Sequence, residues 1–205
     1  SLTLTLPAAL SATSGINAIA HAAEALYAQD GNPIIDLMAQ EGIRAIAHSL
    51  PLITKDLSHA QARSNALYGA WLCGYVLGSV GMSLHHKLCH TLGGSFNLPH
   101  SEVHTVVLSH ALAFNQDVAQ LAMKKIEAAL HVEGISTAAQ GIYDLAKNHG
   151  APVALKDIGM KASDLDLAAQ LAVKNSYWNP RPIGPEQQDE IRLLLQNAFE
   201  GNRPR

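Results

Sequence analysis

The chain has 205 residues, of which 48% are hydrophobic, 15% charged and 5% aromatic, with a formal net charge of −3. This is enough apolar material for one large domain or two small ones, and a near-neutral balance without basic runs argues against nucleic acid as the main partner. No stretch reaches the ~18 uninterrupted apolar residues of a membrane span, no secretory signal opens the chain, and two cysteines make no disulfide framework, which points to the cytoplasm.

The opening stretch, Ser1 to Leu6, alternates polar and apolar residues before Pro7 and reads as a short strand or an extended lead-in. From there the pattern is helical. Ser14 is the expected cap of a helix running to about Gln29, closed by Gly31. Asn32-Pro33 starts the next helix, because asparagine caps well and proline suits a first turn; Pro51 should end or kink it. Ser58 with Gln61 reads as a capping box for a helix over about 59–80. That helix is rich in small residues (Gly69, Ala70, Gly74, Gly78), so it is expected to be central and buried, with Tyr68, Trp71 and Tyr75 packed in the core. A His-rich helix spans Leu84 to Leu92 and stops at Gly93-Gly94, and Pro99 opens the following one. Segments 116–131 and 135–149 show helical spacing. A loop after Gly150 leads to a cap at Ser163 with Asp166, a rigid connector covers 177–182, and a last helix runs from Pro185 to about Glu200. With no alternating β-branched runs, no hairpin signals and no repeat, the fold class is all-α, with eight or nine helices.

Histidine is the unusual residue: 11 of them, against 14 lysines and arginines together. Asn17, His21 and Glu24 form one narrow polar stripe on an otherwise apolar first helix. Solvated stripes usually carry long charged side chains, so short semi-polar groups favour an internal cleft. His86 and His90 are again one turn apart, and His100 sits in a first turn, where the helix dipole favours neutral imidazole. Three helices thus each offer imidazole from an apolar background, as a metal site or a proton-donating anion site would. The chain has no HExxH, glycine-rich dinucleotide motif or phosphate loop. A Cys89–His90 thiol pair is disfavoured because adjacent helix residues point apart. His48, His59, His110, His131 and His149 read as surface or capping groups and Lys87 as exposed. Tyr177, Trp178 and Arg181 would line the cleft or, preferably, anchor the last helix.

The series Gly15-Ile-Asn17-Ala-Ile-Ala-His21-Ala-Ala-Glu24, then His86-Lys-Leu-Cys-His90-Thr-Leu-Gly93, Pro99-His100 and Asn179-Pro180-Arg181-Pro182 resembles the iron-containing alcohol dehydrogenase superfamily, and within it the maleylacetate reductases. The resemblance covers the whole chain. It implies that residues 1–205 are a single helical domain, the C-terminal half of the iron-containing alcohol dehydrogenase / dehydroquinate synthase-like fold, and that a dinucleotide-binding domain precedes it in the family and is absent from this chain. It also implies NADH or NADPH as cofactor, a small dicarboxylate substrate and a homodimer. In the metal-dependent members an Asp and three His hold the ion; here those positions are Asn17, His21, His86 and His100. With the Asp replaced, no metal is expected. Imidazolium or imidazole N–H groups of His21, His86, His90 and His100 would polarise the substrate in its place, with Asn17 favouring a dianionic substrate over an ion and His90 near the nicotinamide. The competing readings are a metal-dependent alcohol dehydrogenase or aldehyde reductase that keeps its ion on three histidines, and a non-catalytic helical binding module.

Overall fold

The computed structural model describes residues 3–205. These residues form nine α-helices and no strand: α1 Ala8–Ala25, α2 Pro33–Lys55, α3 Ala60–Leu77, α4 Leu84–Phe96, α5 His100–Asn115, α6 Gln120–Leu130, α7 Ala138–Asn148, α8 Leu165–Ala172 and α9 Gln188–Glu200. Short 3₁₀ turns sit at Leu155–Ile158, Ala162–Asp164 and Pro185–Gln187. The all-α expectation therefore holds. None of the helices is long and apolar enough to cross a membrane.

Several boundaries differ from expectation, each for a local reason. The expected strand or lead-in begins at Ser1 and Leu2, outside the described residues; Thr3–Thr5 form a turn closed by Leu6 N–H donating to Thr3 O at 3.1 Å. α1 starts after Pro7, well before Ser14, because buried Arg63 ties the approach down: its guanidinium donates to Leu6 O at 3.0 Å and Ser11 Oγ at 2.9 Å. α2 begins where expected, with Asn32 Oδ1 accepting from Ile34 N and Ile35 N. It continues through Pro51 to Lys55, since Pro51 faces solvent while Leu50 and Ile53 are buried beneath it. His59 caps α3 in place of Ser58, whose hydroxyl donates instead to Asp56. α4 runs past Gly93-Gly94 to Phe96 and is closed by Asn97 in the left-handed region at φ 53°. Asparagine is the residue after glycine best suited to that conformation. α7 carries a Thr137–Gln140 capping box that the sequence reading missed.

Two apolar clusters build the interior. One joins α1, α2, α6, α7 and, through Cys73 and Val76, the inner side of α3; the other joins α4, α8, α9 and the 3₁₀ turn at Leu155–Ile158. α5 serves both, with Leu108 and Leu112 in the first and Val103, Val106 and Val107 in the second. The central helix is thus α5, and the expectation for α3 is corrected. The small residues of α3 do allow close approach to α2: a Cβ on Gly69 would lie 2.7 Å from Ile46 Cγ1 and 3.0 Å from Gly42 O. Its far side faces out, however, leaving Leu67, Tyr68, Tyr75 and Trp71 exposed, the last at 62%. One close interface is enough to select glycine, and so a run of small residues does not require burial on all sides.

Candidate functional site

The site forms where α1, α4 and α5 meet. Glu24, on α1, has no solvent exposure. Its carboxylate accepts from Ser83 N and His85 N, each at 2.7 Å, and from His86 N at 3.4 Å. A carboxylate there satisfies the unpaired amides that open α4 and suits the positive end of its dipole. The same carboxylate pairs with His86 Nδ1 at 2.8 Å. Since the carboxylate accepts, His86 Nδ1 carries the hydrogen, and a neutral ring then has its lone pair on Nε2. His86 Nε2 lies 2.9 Å from His21 Nδ1, so His21 donates there and its own Nε2 is left as an acceptor.

The remaining rings extend this pair. His104, on α5, has its centroid 5.2 Å from His86, 4.9 Å from His85 and 4.3 Å from His100. His90 is 6.2 Å from His86, and its Nδ1 meets Tyr177 Oη at 2.9 Å. His85, His86 and His104 are buried, His21 is half-buried, and His90 and His100 are exposed. The structure therefore brings His21, His86 and His90 together and reaches His100 through His104, forming a graded row from interior to surface. Asn17 is half-buried one turn before His21, and its Oδ1 is buried without a partner.

The electrostatics favour the imidazole over the imidazolium form at His21 and His90. Burial, followed by repulsion from neighbouring rings, lowers His21 to about 4 and His104 to about 2. The same causes hold His85 well below the ordinary value and lower His90. These four rings are neutral at pH 7. Burial also pushes the Cys89 thiol up, with Glu24 adding to the effect, so the thiol is protonated. This agrees with the rejection of a Cys89–His90 nucleophile: Cys89 Sγ instead lies 3.6 Å from His85 Nε2.

Sequence reasoning missed His85 and His104 as members of the cluster, Glu24 as its anchor and Tyr177 as the partner of His90. The spacing of His100 and His104, one turn apart, was an available signal; a contact between helices such as Glu24 with the start of α4 was not. Arg181 anchors as expected, pairing with Glu190 of α9 and lying 4.3 Å over the Phe114 ring. Asn179 holds the same connector by exchanging amide hydrogen bonds with Asn115 at 2.7 and 2.9 Å. His59 caps as expected, His131 and His48 are exposed, and His149 meets Thr54 Oγ1. His110 is buried, contrary to expectation, because it lies on the central helix α5. Lys87 is half-buried, with Nζ 6.0 Å from the Tyr177 ring centre.

Comparison with known proteins gives a consistent picture. The family model described as Fe-containing alcohol dehydrogenase family, C-terminal, matches residues 11–199. A maleylacetate reductase from Burkholderia cepacia is 57% identical over 99% of the chain and 56% of its own length. The crystal structure of maleylacetate reductase from Agrobacterium tumefaciens superposes with a TM-score of 0.93 at 54% identity, covering 99% of this chain and 56% of that one. That from Rhizobium sp. strain MTP-10005 also superposes at 0.93, with 52% identity and the same coverage. The chain thus spans little more than half the length of the relatives it matches.

Proposed function

The chain belongs to the Fe-containing alcohol dehydrogenase family, as its C-terminal domain, and from that premise we propose that the whole protein reduces maleylacetate to 3-oxoadipate with NADH or NADPH. The observation that carries the reading is likeness over 99% of the chain to proteins named for that reaction. Both cysteines are free, which supports a reducing compartment, the cytoplasm. A homodimer belongs to the same reading, and sedimentation of the full protein tests it.

The family's metal position would draw on Asn17, His21, His86 and His100, and these residues fit an ion poorly. The neutral amide of Asn17 replaces the anionic ligand. No trio from these positions is among the described His, Cys, Asp and Glu groups whose ligand atoms lie within 4.8 Å. In this reading no resident metal takes part.

Maleylacetate is a dianion whose ketone is conjugated to an alkene. The nicotinamide, held by the part of the protein outside this chain, would supply hydride to the alkene carbon β to the ketone. Charge then builds on the ketone oxygen, and this chain's imidazoles must meet it. His21 offers a lone pair at Nε2, so donation falls first to the exposed rings, His90 and His100. Each aimed N–H is worth about 3–4 kcal/mol at a developing oxyanion. His86 holds His21 in place through the Glu24 link, and Asn17 would donate its amide to a substrate carboxylate. His90 Nε2–H then delivers its proton to the carbon α to the ketone while Nδ1 takes the Tyr177 hydroxyl proton, which solvent restores to the phenolate, so the ring stays neutral. One hydride and one proton complete the reduction.

The test uses the full protein freed of exchangeable metal. Addition of NADH and maleylacetate should consume the nicotinamide absorbance. Activity that vanishes on chelation and returns only with iron or zinc would reject the metal-free reading, and turnover of simple aldehydes alone would favour an alcohol dehydrogenase. His90→Ala should lower kcat far more than it raises KM for NADH; an effect confined to NADH affinity moves His90 to cofactor binding.

A further inference from the structure

Behind the exposed rings lies a second donor set that the reaction above does not use. His85 and Cys89 stand one turn apart on α4, and His104 reaches them from α5. His85 Nε2 is 3.0 Å from His104 Nδ1 and 3.6 Å from Cys89 Sγ. Among the described residues, these three are the one His, Cys, Asp or Glu trio whose ligand atoms all lie within 4.8 Å of one another. Bond lengths of ~2.0–2.1 Å to nitrogen and ~2.3 Å to sulfur in a tetrahedral zinc site separate two nitrogens by ~3.3 Å and a nitrogen from a sulfur by ~3.6 Å. The two spacings to His85 match within a few tenths of an ångström, the His85–His104 contact being a hydrogen bond that the ion would replace, and the third lies within 4.8 Å. All three side chains are buried, with His85 fully enclosed, His104 1% exposed and Cys89 3% exposed.

We propose that His85, Cys89 and His104 form a buried site for a thiophilic divalent cation of the zinc class, which clamps α4 onto α5 behind the catalytic rings. The inference does not rest on the reductase reading. Both imidazoles are neutral, as ligands must be. On binding, the Cys89 S–H bond breaks, its proton leaves to solvent and a metal–thiolate bond forms, with no change of oxidation state. The bound set carries one net positive charge. The Glu24 carboxylate offsets it from the same end of α4, where it holds His85 N at 2.7 Å. His100 provides the access path, being exposed with its ring centre 4.3 Å from that of His104. Three protein ligands leave the fourth position for water. The donor set differs from the family's metal position at every residue, as a soft thiolate replaces the carboxylate and selects for zinc over hard cations.

Cobalt is the spectroscopic probe. Added to the chelator-stripped full protein, Co2+ should give the near-ultraviolet sulfur-to-cobalt charge-transfer band of a thiolate-bound ion. Cys89→Ser should abolish the band, and His100→Ala should leave it in place. Cobalt that is not retained, cobalt bound without the band, or a band that survives Cys89→Ser overturns the proposal, as does a band lost in His100→Ala. Zinc-edge X-ray absorption of the unaltered protein needs no variant: one sulfur at about 2.3 Å is expected, and a shell of nitrogen and oxygen alone overturns the assignment. Neither readout passes through maleylacetate turnover. A protein that binds the ion through Cys89 yet reduces no maleylacetate would therefore refute the previous reading and support this one.

Discussion

A carboxylate taken wholly out of water, as Glu24 is, persists only when donors surround it. Five do so: Ser83 N, His85 N, His86 N, His86 Nδ1 and, more distantly, Tyr27 Oη. Glu24→Ala strands these groups in the interior, and loss of a buried partner of this kind typically costs ~3–5 kcal/mol. Chemical denaturation of the full protein should show a loss of that size; a loss under ~1 kcal/mol would mean that water replaces the carboxylate. His110 provides a separate pH test, because burial alone lowers it to about 4 and no charged neighbour contributes. Its unfolded form binds a proton below the ordinary value of 6.5 and its folded form does not until about 4. The unfolded state therefore holds more protons in that window, and stability falls as pH drops from 6.5 towards 4, by ~3 kcal/mol in all. His110→Gln should flatten that part of the stability–pH curve, and an unchanged slope would show that His110 is hydrated in solution.

At the scale of elements, the two glycines of α3 are expected to respond in opposite directions. Gly69 sits where α3 meets α2, and a Cβ there would lie 2.7 Å from Ile46 Cγ1 and 3.0 Å from Gly42 O. Gly69→Ala should destabilise by ~1–3 kcal/mol through overpacking. Gly74 faces open space on the same helix, so Gly74→Ala should stabilise by up to ~1 kcal/mol through helix propensity. Melting temperatures of the two variants check both signs, and a gain at Gly69 would mean that the α2–α3 contact is looser than it is here. This helix also shows what was legible in the sequence. Helix starts written in local chemistry were readable, as at Asn32-Pro33 and Pro99, and so was imidazole spacing within one helix, as at His86 and His90. The start of α1 was not, because it is held by Arg63 from more than fifty residues away. Nor were the burial of Glu24 or the joining of His85 to His104, since both are contacts between helices. Small residues revealed that something comes close to α3 but not that the approach is on one side alone.

For the whole molecule, the decisive feature is that α5 belongs to two interiors at once. Its Leu108 and Leu112 pack with α1, α2, α6 and α7, while Val103, Val106 and Val107 pack with α4, α8 and α9. The histidine row crosses the same boundary, with His21 on α1, His86 and His90 on α4 and His100 on α5. If each cluster were a separate folding unit, the spacing of those rings would vary with every opening between them. A shared helix removes that freedom, because neither cluster can lose α5 without exposing part of its own core. Hydrogen exchange in increasing denaturant should therefore show α1–α2 and α8–α9 losing protection at one common concentration. Leu108→Ala touches only the first cluster directly, at a cost of ~2–5 kcal/mol, yet it should bring forward the opening of both. Early opening confined to α1, α2, α6 and α7, with α8 and α9 still protected, would show that α5 does not couple them. The geometry of the histidine row would then have to be held by the direct bonds among Glu24, His86 and His21 alone.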